Sequence, residues 1–423
     1  MYFQKIGCRQ MEKIIVVGGG AAGLMAAVKA AENGAEVLLL EKMNRVGKKM
    51  LITGKGRCNI TNTAQIPDII KNITGNGAFL NSTIRAFDNE DVVAFFNGLG
   101  LSTKVERGGR IFPESDKAAD VVGSMLRALH RLGVKVEVNQ VIDHILVKDG
   151  SACGVKTKTG KVYEGDAVIL ATGGASYPGT GSTGDGYAMA KNLGHSLVPI
   201  KPSLVPLETK ESWIKSVQGL SLKNVKVTAL ADGEKIGEDF GEMLFTHFGV
   251  SGPIILSLSR VVTEYLLKGK KVELSINLKP ALTPEVLDKR IQRDFEKFIR
   301  KQIKNSLHEL LPAKLIDVMI GLASLEPDKE IHQVTKEERL RLVNAIEHLT
   351  LTVTKTRPIV EAIVTAGGIE VKEINPKTME SKLVKHLYFA GEVIDIDGYT
   401  GGFNLQAAFS TGAAAGQYAA WSD

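Results

Sequence analysis

Gly18, Gly20 and Gly23 follow an apolar run, Ile14 to Val17, and open a stretch of small residues; a second apolar run, Val37 to Leu40, ends in Glu41. Each glycine has its own steric reason. Gly18 lets a strand turn sharply, Gly20 keeps a Cβ out of the way of a pyrophosphate, and Gly23 lets a helix pack close to a sheet. A helix opening at Ala21 and Ala22 would aim free N–H groups and the positive end of its dipole at phosphate oxygens. Glu41 is placed to accept hydrogen bonds from both hydroxyls of an adenosine ribose, and its charge repels a 2′-phosphate. These residues fit FAD or NAD rather than NADP.

Three further stretches carry groups suited to a long cofactor. After Glu41, KMNRVGKKMLITGKGRCNITN is too rich in glycine and polar residues to predict a regular element. There Gly54 permits close backbone approach, Lys49 or Arg57 would balance phosphate or reduced-flavin charge, and Asn59 and Asn62 suit a polar ring edge. In mid-chain an apolar strand ends in Ala171-Thr172-Gly173-Gly174. Near the C-terminus, Leu387 to Ala390 delivers Gly391 and Glu392, the latter placed for a sugar or ribityl hydroxyl. Gly401 and Gly402 then lead into a small-residue helix from about Leu405, so the backbone from Gly402 to Gln406 aims a second helix N-terminus at a pyrophosphate or flavin carbonyl. The segment Gly179 to Gly184 (GTGSTG) repeats the glycine spacing with no strand before it and no acidic strand end after it, and is read as a loop.

The elements that must position these groups set an α/β fold: a discontinuous Rossmann-like domain, 11–195 and 356–423, holding a β-rich domain, 196–280 and 325–355, and a helical insert, 281–324. From about Ile66 to Leu132 the pattern is mainly helical, with a hairpin near Glu106 to Ile111. Thr183 or Asp185 is the expected cap of the helix after the GTGSTG loop, and Ser251 that of the helix opening at Pro253. Residues 1–10 are read as a leader.

At 423 residues, 44% hydrophobic and 24% charged, the chain has an ordinary globular composition with room for two or three domains. Cys8, Cys58 and Cys153 are too few and too scattered for a disulfide framework or a metal site, which points to a reducing cytoplasm. No run is long and apolar enough for a membrane helix. The net charge of +6 is mild. Much of it lies between Lys289 and Lys304, where Leu287, Ile291, Phe295, Phe298 and Ile303 share one helical face. That stretch is read as the solvated side of an amphipathic helix, and a nucleic-acid partner as the lesser alternative.

With GGGAAG, ATGG and FAGE…GYTGGFNLQ in order, the chain resembles the two-dinucleotide-binding-domain flavoproteins related to glutathione reductase. More narrowly, GKGRCNITN, ATGGASYPGTGSTGDGY, LFTHFGVSGP and GEVIDIDGYTGGFNLQAAFSTGAAAG resemble the bacterial flavoprotein family described as aminoacetone-oxidase-like or bile-acid-reductase-like. The resemblance implies a split FAD domain in which Gly18, Gly20, Gly23 and Glu41 hold the ADP half. Asn59, Asn62, Gly402, Asn404 and Leu405 would lie toward the flavin. The full set of expected contacts also takes in Lys42, Val141, Ala171, Thr172 and Gly173. Without paired redox cysteines or a second strand-embedded GxGxxG, the chain departs from the dithiol reductases.

The expected reaction is hydride transfer between flavin N5 and a small organic substrate, either as a reductase or dehydrogenase with NADH or NADPH as transient donor or as an amine oxidase with oxygen as acceptor. Arg57 and His247 are the catalytic candidates, Arg57 for charge and His247 for its place in the THFGVSGP turn. Tyr177 and Tyr399, beside glycine loops, are read as packing residues, and Cys58 as an inert thiol.

Overall fold

A computed structural model describes residues 11–421, so the expected leader lies outside the described residues. The chain divides into two compact units, one built from residues before Pro202 and after Ala362, the other spanning Pro202–Ala362.

The first unit is organised on five parallel strands. β1 (Lys13–Val17) leads through α1 (Ala21–Glu32) to β2 (Glu36–Leu40), followed along the chain by β3 (Lys135–Glu137), β4 (Ala167–Leu170) and β5 (Leu387–Phe389). Their order across the sheet is β5-β4-β1-β2-β3. Ile14 pairs with Val37 on one side and with Ala167 on the other. Such strands are covered on both faces and so read as unbroken apolar runs; Ile14, Ile15 and Val16 are fully buried. The chain leaves β1 toward β2 on one side, while β4 and β5 fill the other. The strand order therefore reverses beside β1, and the crevice at the C-terminal strand ends is where an open α/β sheet binds ligands.

The closing helix, α2 (Phe403–Ala419), packs along α1. A Cβ at Gly412 would sit 2.3 Å from Ala22 O, and one at Gly416 2.2 Å from Ala26 O. Glycine at these two positions lets the helix backbones touch, and the matching order of the two contacts makes the helices parallel.

The second unit is a closed six-stranded antiparallel barrel with helices. Along Val272–Asn277 the burial alternates, with Val272, Leu274 and Ile276 inward, as a pleated wall requires. The expected helical insert does not stand apart. Its helices, Pro284–Lys297 and Ala313–Leu322, share one hydrophobic core with the barrel and with a further helix, Lys336–Glu347, in a stretch assigned above to the β-rich domain.

Local differences have local causes. The stretch after Glu41 does contain regular structure, a short helix Lys48–Ile52 and a 3-10 turn Thr53–Gly56, with Gly54 and Lys55 in left-handed backbone at the kink. Gly184, not Thr183 or Asp185, caps the helix Asp185–Asn192, at φ +79°. Gly252 rather than Ser251 precedes the helix at Pro253, because Ser251 is held in a strand opposite Leu244.

Candidate functional site

At the sheet's C-terminal edge the first glycine turn is tied down by backbone. Gly18 N donates to Leu40 O and Ala171 N to Val17 O, both at 2.8 Å. Gly18 has φ +107°, and a Cβ there would lie 2.4 Å from Ala171 O; a Cβ at Gly23 would lie 1.9 Å from Gly18 O. Those two glycines bring β1, β4 and α1 together. Gly20 differs, since its Cβ would meet nothing within 4 Å. The first intrahelical bond runs from Leu24 N to Gly20 O at 2.9 Å, leaving the amides of Ala21, Ala22 and Gly23 without intrahelical acceptors.

Glu41 closes this corner. Its Oε2 accepts from Gly19 N and its Oε1 from Met43 N, each at 2.7 Å. An ionised carboxylate has about four lone-pair sites, so two bonds fix the group and still leave acceptors for a pair of ribose hydroxyls.

The second glycine turn is assembled from distant segments. With its amide nitrogen toward Thr61 O and Ile111 O, Asn59 accepts from Gly402 N at 3.0 Å. Gly402, at φ +101°, brings its α-carbon against Thr61 O, where a Cβ would clash at 2.4 Å. Asn62 donates to Gly108 O and Gly401 O and accepts from Ala64 N. Asn404 accepts from Gly398 N and donates to Gly398 O and Tyr399 O. These two amides hold loops in place; what the turn offers outward is backbone, the N–H groups of Asn404 and Leu405 at the start of α2. Gln406 is a correction: it is fully buried, bonded to Thr61, Phe87 and Ser410, and its own N–H goes to Gly402 O. It is a tie within the protein and has no polar atom left for a ligand.

The two helix N-termini are staggered. Ala22, one residue into α1, lies against Gly412, nine residues into α2, so α2 begins about 12 Å before α1 at 1.5 Å per residue. Two parallel helix N-termini staggered by about 12 Å along their axes, one facing open space and flanked by Glu41, fit the diphosphate and the flavin end of one FAD.

The two lysines expected among the cofactor contacts each have protein partners. Lys42 donates to Thr183 Oγ1 and pairs with Asp185 at 2.9 Å. Lys49 donates to Ser176 Oγ and pairs with Glu392 at 2.7 Å, and Glu392 also accepts from Ser176 Oγ and Thr365 N. The anionic charge at the glycine turn is thus left to backbone amides and the helix dipole. Val141 follows Gln140, whose N–H donates to Glu41 O, and is partly exposed. Gly391, at φ +75°, lies against Ala22 Cβ.

Arg57 pairs with Glu106 at 2.6 Å and Asp116 at 3.0 Å and stacks over Phe112, 4.0 Å from the ring centre. The Glu106 hydrogen bond, above all, holds its guanidinium more firmly protonated than usual. Cys58 is completely buried, and burial pushes its thiol up to about 12. It stays a thiol at neutral pH and is free among the described residues. His247, in the second unit, is exposed and turns its ring edge to Phe248, over which Arg357 stacks while pairing with Glu208 and Glu361. Tyr177 is 36% exposed at φ +53°, so it lies at the surface rather than in packing.

Ser176, Thr365 and Tyr187 were missed. Thr365 precedes Gly367-Gly368, a strand-then-glycines signal like ATGG that was open to reading. The buried Tyr187 hydroxyl has no partner among the described residues, and burial, with Glu392 and Asp395 nearby, raises its pKa; a lone tyrosine in a helix carries no such signal.

Comparison with known proteins identifies the family. The HI0933-like protein Rossmann domain family matches residues 12–418. The chain is 34% identical to a 3-dehydro-bile acid delta(4,6)-reductase of Clostridium scindens, over 97% of this chain and 99% of that protein. It is 31% identical to a ribosomal RNA dihydrouridine synthase of Haemophilus influenzae, over 95% and 97%. Among solved structures, a 3-ketosteroid delta1-dehydrogenase from Sterolibacterium denitrificans superposes with a TM-score of 0.55 at 13% identity, over 98% of this chain and 100% of that one. At that identity the likeness is one of fold.

Proposed function

Because the chain belongs to the HI0933-like FAD/Rossmann family, whose relatives include FAD-dependent oxidoreductases, we propose that it is a reductase of carbon–carbon double bonds conjugated to a carbonyl. Bound FAD supplies hydride transfer. Saturating such a bond would take one hydride at the β-carbon and one proton at the α-carbon. The observation that carries the reading is the pair of staggered helix N-termini beside a buried, high-pKa Cys58. They support a single cofactor exchanging electrons with the substrate directly and no dithiol relay. Two relatives support this substrate class, since a delta(4,6)-reductase and a dihydrouridine synthase are both named for saturating such a bond. That shared chemistry favours a reductase over the amine oxidase considered above.

In this reading Ala21 to Gly23 bind diphosphate through their amides, Glu41 orients the ribose, and Asn404 and Leu405 present N–H groups to the flavin. Arg57, always protonated, cannot donate the proton. With two carboxylates on it, its part is to hold the 53–62 loop against the Thr103–Glu106 and Arg110–Pro113 hairpin.

The test is anaerobic. The reduced protein is mixed in turn with a steroid 4,6-dien-3-one, a uridine-containing RNA, an isolated alkene and a primary amine, while the visible flavin band is followed. Return of the band with a conjugated carbonyl, and a saturated product, is the expected result. Reoxidation by oxygen alone contradicts it. NADH and NADPH are compared as donors in the preceding step.

One observation favours RNA as the carrier of the double bond. Lys289, Arg293 and Arg300, on or just after the helix Pro284–Lys297, are exposed and have no ion-pair partner among the described residues. If this ridge meets phosphates, replacing the three with glutamine lowers RNA affinity and flattens its salt dependence. Unchanged binding removes the RNA reading and leaves the reductase one.

A further inference from the structure

Elsewhere in the first unit a serine, a histidine and a carboxylate stand in one hydrogen-bonded line. His195 Nδ1 lies 3.0 Å from Glu373 Oε2, and its Nε2 lies 2.9 Å from Ser381 Oγ. The order is that of a nucleophilic triad, but the hydrogens give it another part. Glu373 Oε2 also accepts from Ser196 N at 2.9 Å. Burial opposes its charge, yet Ser196 and His195 keep its pKa below the usual value, so it is an ionised acceptor and Nδ1 must donate. Ser381 Oγ accepts from Leu383 N at 3.0 Å and from Val384 N at 2.9 Å, which occupies both lone pairs. Its own hydrogen goes to Nε2. Ser381 thus has no lone pair free for attack, and His195 is held as the neutral ring with its proton on Nδ1.

The line joins the turn after the helix Asp185–Asn192 to the segment 370–386, whose end enters the sheet where His386 O accepts from Val168 N at 2.9 Å. The ring also packs edge-to-face on Phe389 of β5, with centres 4.8 Å apart. Two residues on, Gly391 lies against Ala22 at the start of α1. Lys191 on the helix, Glu370, Lys372, Glu373, Glu380, Lys382, Lys385 and His386 on the segment, and Tyr388 on β5 are the charged and titratable groups of these elements; only Glu373 is bonded to the ring. His195 is 2% exposed, and burial, outweighing Glu373, lowers its pKa. A proton on Nε2 would meet the Ser381 hydrogen, so Ser381 would have to turn its O–H away and release Leu383 or Val384. We propose that His195 is a positioning residue that works as a proton-sensitive latch: neutral, it fixes the segment 370–386 and the Gly391 end of β5, and protonated, it releases both. The latch needs no cofactor, and only its effect on FAD rests on the cradle described above. With the folded pKa below the ordinary 6.5, the opened chain takes the proton first. Latch strength is therefore full above about pH 6.5, falls as pH drops below it, and levels off once the folded ring is protonated too.

The experiment reads the ring and the segment in the full chain. In protein labelled with nitrogen-15 histidine at neutral pH, the ring signal missing from His195→Gln is expected to carry hydrogen on Nδ1 and none on Nε2. Amide exchange of Leu383 and Val384, corrected for its intrinsic pH dependence, is then followed from neutral pH down to about pH 5. Protection is expected to fall by up to about tenfold per pH unit below about 6.5. Glu373→Gln keeps an acceptor for Ser196 but removes the charge that favours a protonated ring, so it should hold protection to lower pH; simple loss of packing would lower protection at every pH. Hydrogen on Nε2, protection that ignores pH, or a Glu373→Gln profile lowered throughout overturns the proposal. Should His195→Gln not fold, the wild-type and Glu373→Gln exchange profiles decide alone. FAD affinity should weaken on acidification about fivefold more in wild type than in Glu373→Gln, and an equal loss overturns the link to Gly391. A wild-type protein that takes up no FAD defeats the cradle reading, while the exchange profiles still decide the latch.

Discussion

The chain carries the spacing GxGxxG twice, and the two copies are built differently. Gly18 to Gly23 joins a buried strand to a helix: two of its glycines are filled against backbone and the middle one faces open space. Gly179 to Gly184 begins inside a 3-10 turn, Pro178–Thr180, and no strand leads into it. There Gly179 meets nothing, while Gly181, at φ +108°, is 2.9 Å by its would-be Cβ from Met43 Cγ and 3.6 Å from Glu41 Oε1. Lys42 fastens the end of this second loop through Thr183 and Asp185. The second copy is thus a flap laid against the carboxylate corner of the first. A glycine pattern acquires its meaning from the strand that feeds it, which fixes where the missing Cβ atoms would point.

Single alanines can break or sharpen that contrast. The largest effect is expected for Gly23→Ala, whose Cβ would press into Gly18 O at 1.9 Å. Overpacking of this kind costs about 1–3 kcal/mol or more, so the thermal midpoint should fall by several degrees in the cofactor-free protein. Gly20→Ala should leave that midpoint nearly unchanged yet weaken FAD at least about tenfold, 1.4 kcal/mol, by filling the space before the helix; equal affinity would show the space is not a phosphate site. Gly181→Ala should cost about 1–2 kcal/mol for its left-handed backbone, with Met43 able to move aside, and should weaken FAD a few-fold through Glu41. Gly179→Ala should lie within about 0.5 kcal/mol of wild type in stability and match it in FAD affinity. A large loss there would make the second copy a ligand loop after all.

Much of the first unit was legible because its signals are local. Val17-Gly18 and Leu40-Glu41 announce strand ends, and the α/β sheet follows from them. The cradle's supports were less legible. Asn62, Asn404 and Gln406 look in sequence like ligand donors, but a side-chain amide serves a backbone loop equally well, and only the packing of residues 61, 87 and 401 beside them decides which. The engagements of the lysines were hidden for a similar reason. Their partners Asp185 and Glu392 are 143 and 343 residues away, beyond any spacing rule. In the second unit, the helix at 336–347 falls in the stretch 325–355 read as part of the β-rich domain and shares a core with the helix at 284–297, because nothing in a helix's own pattern says whose core it covers.

The most direct test is a crystal structure of the protein loaded with FAD. The account predicts the diphosphate on the amides of Ala21 to Gly23, the ribose against Glu41 and the isoalloxazine at the N-terminus of α2. A diphosphate seated instead on residues 179–184, or a flavin away from Asn404 and Leu405, would contradict it.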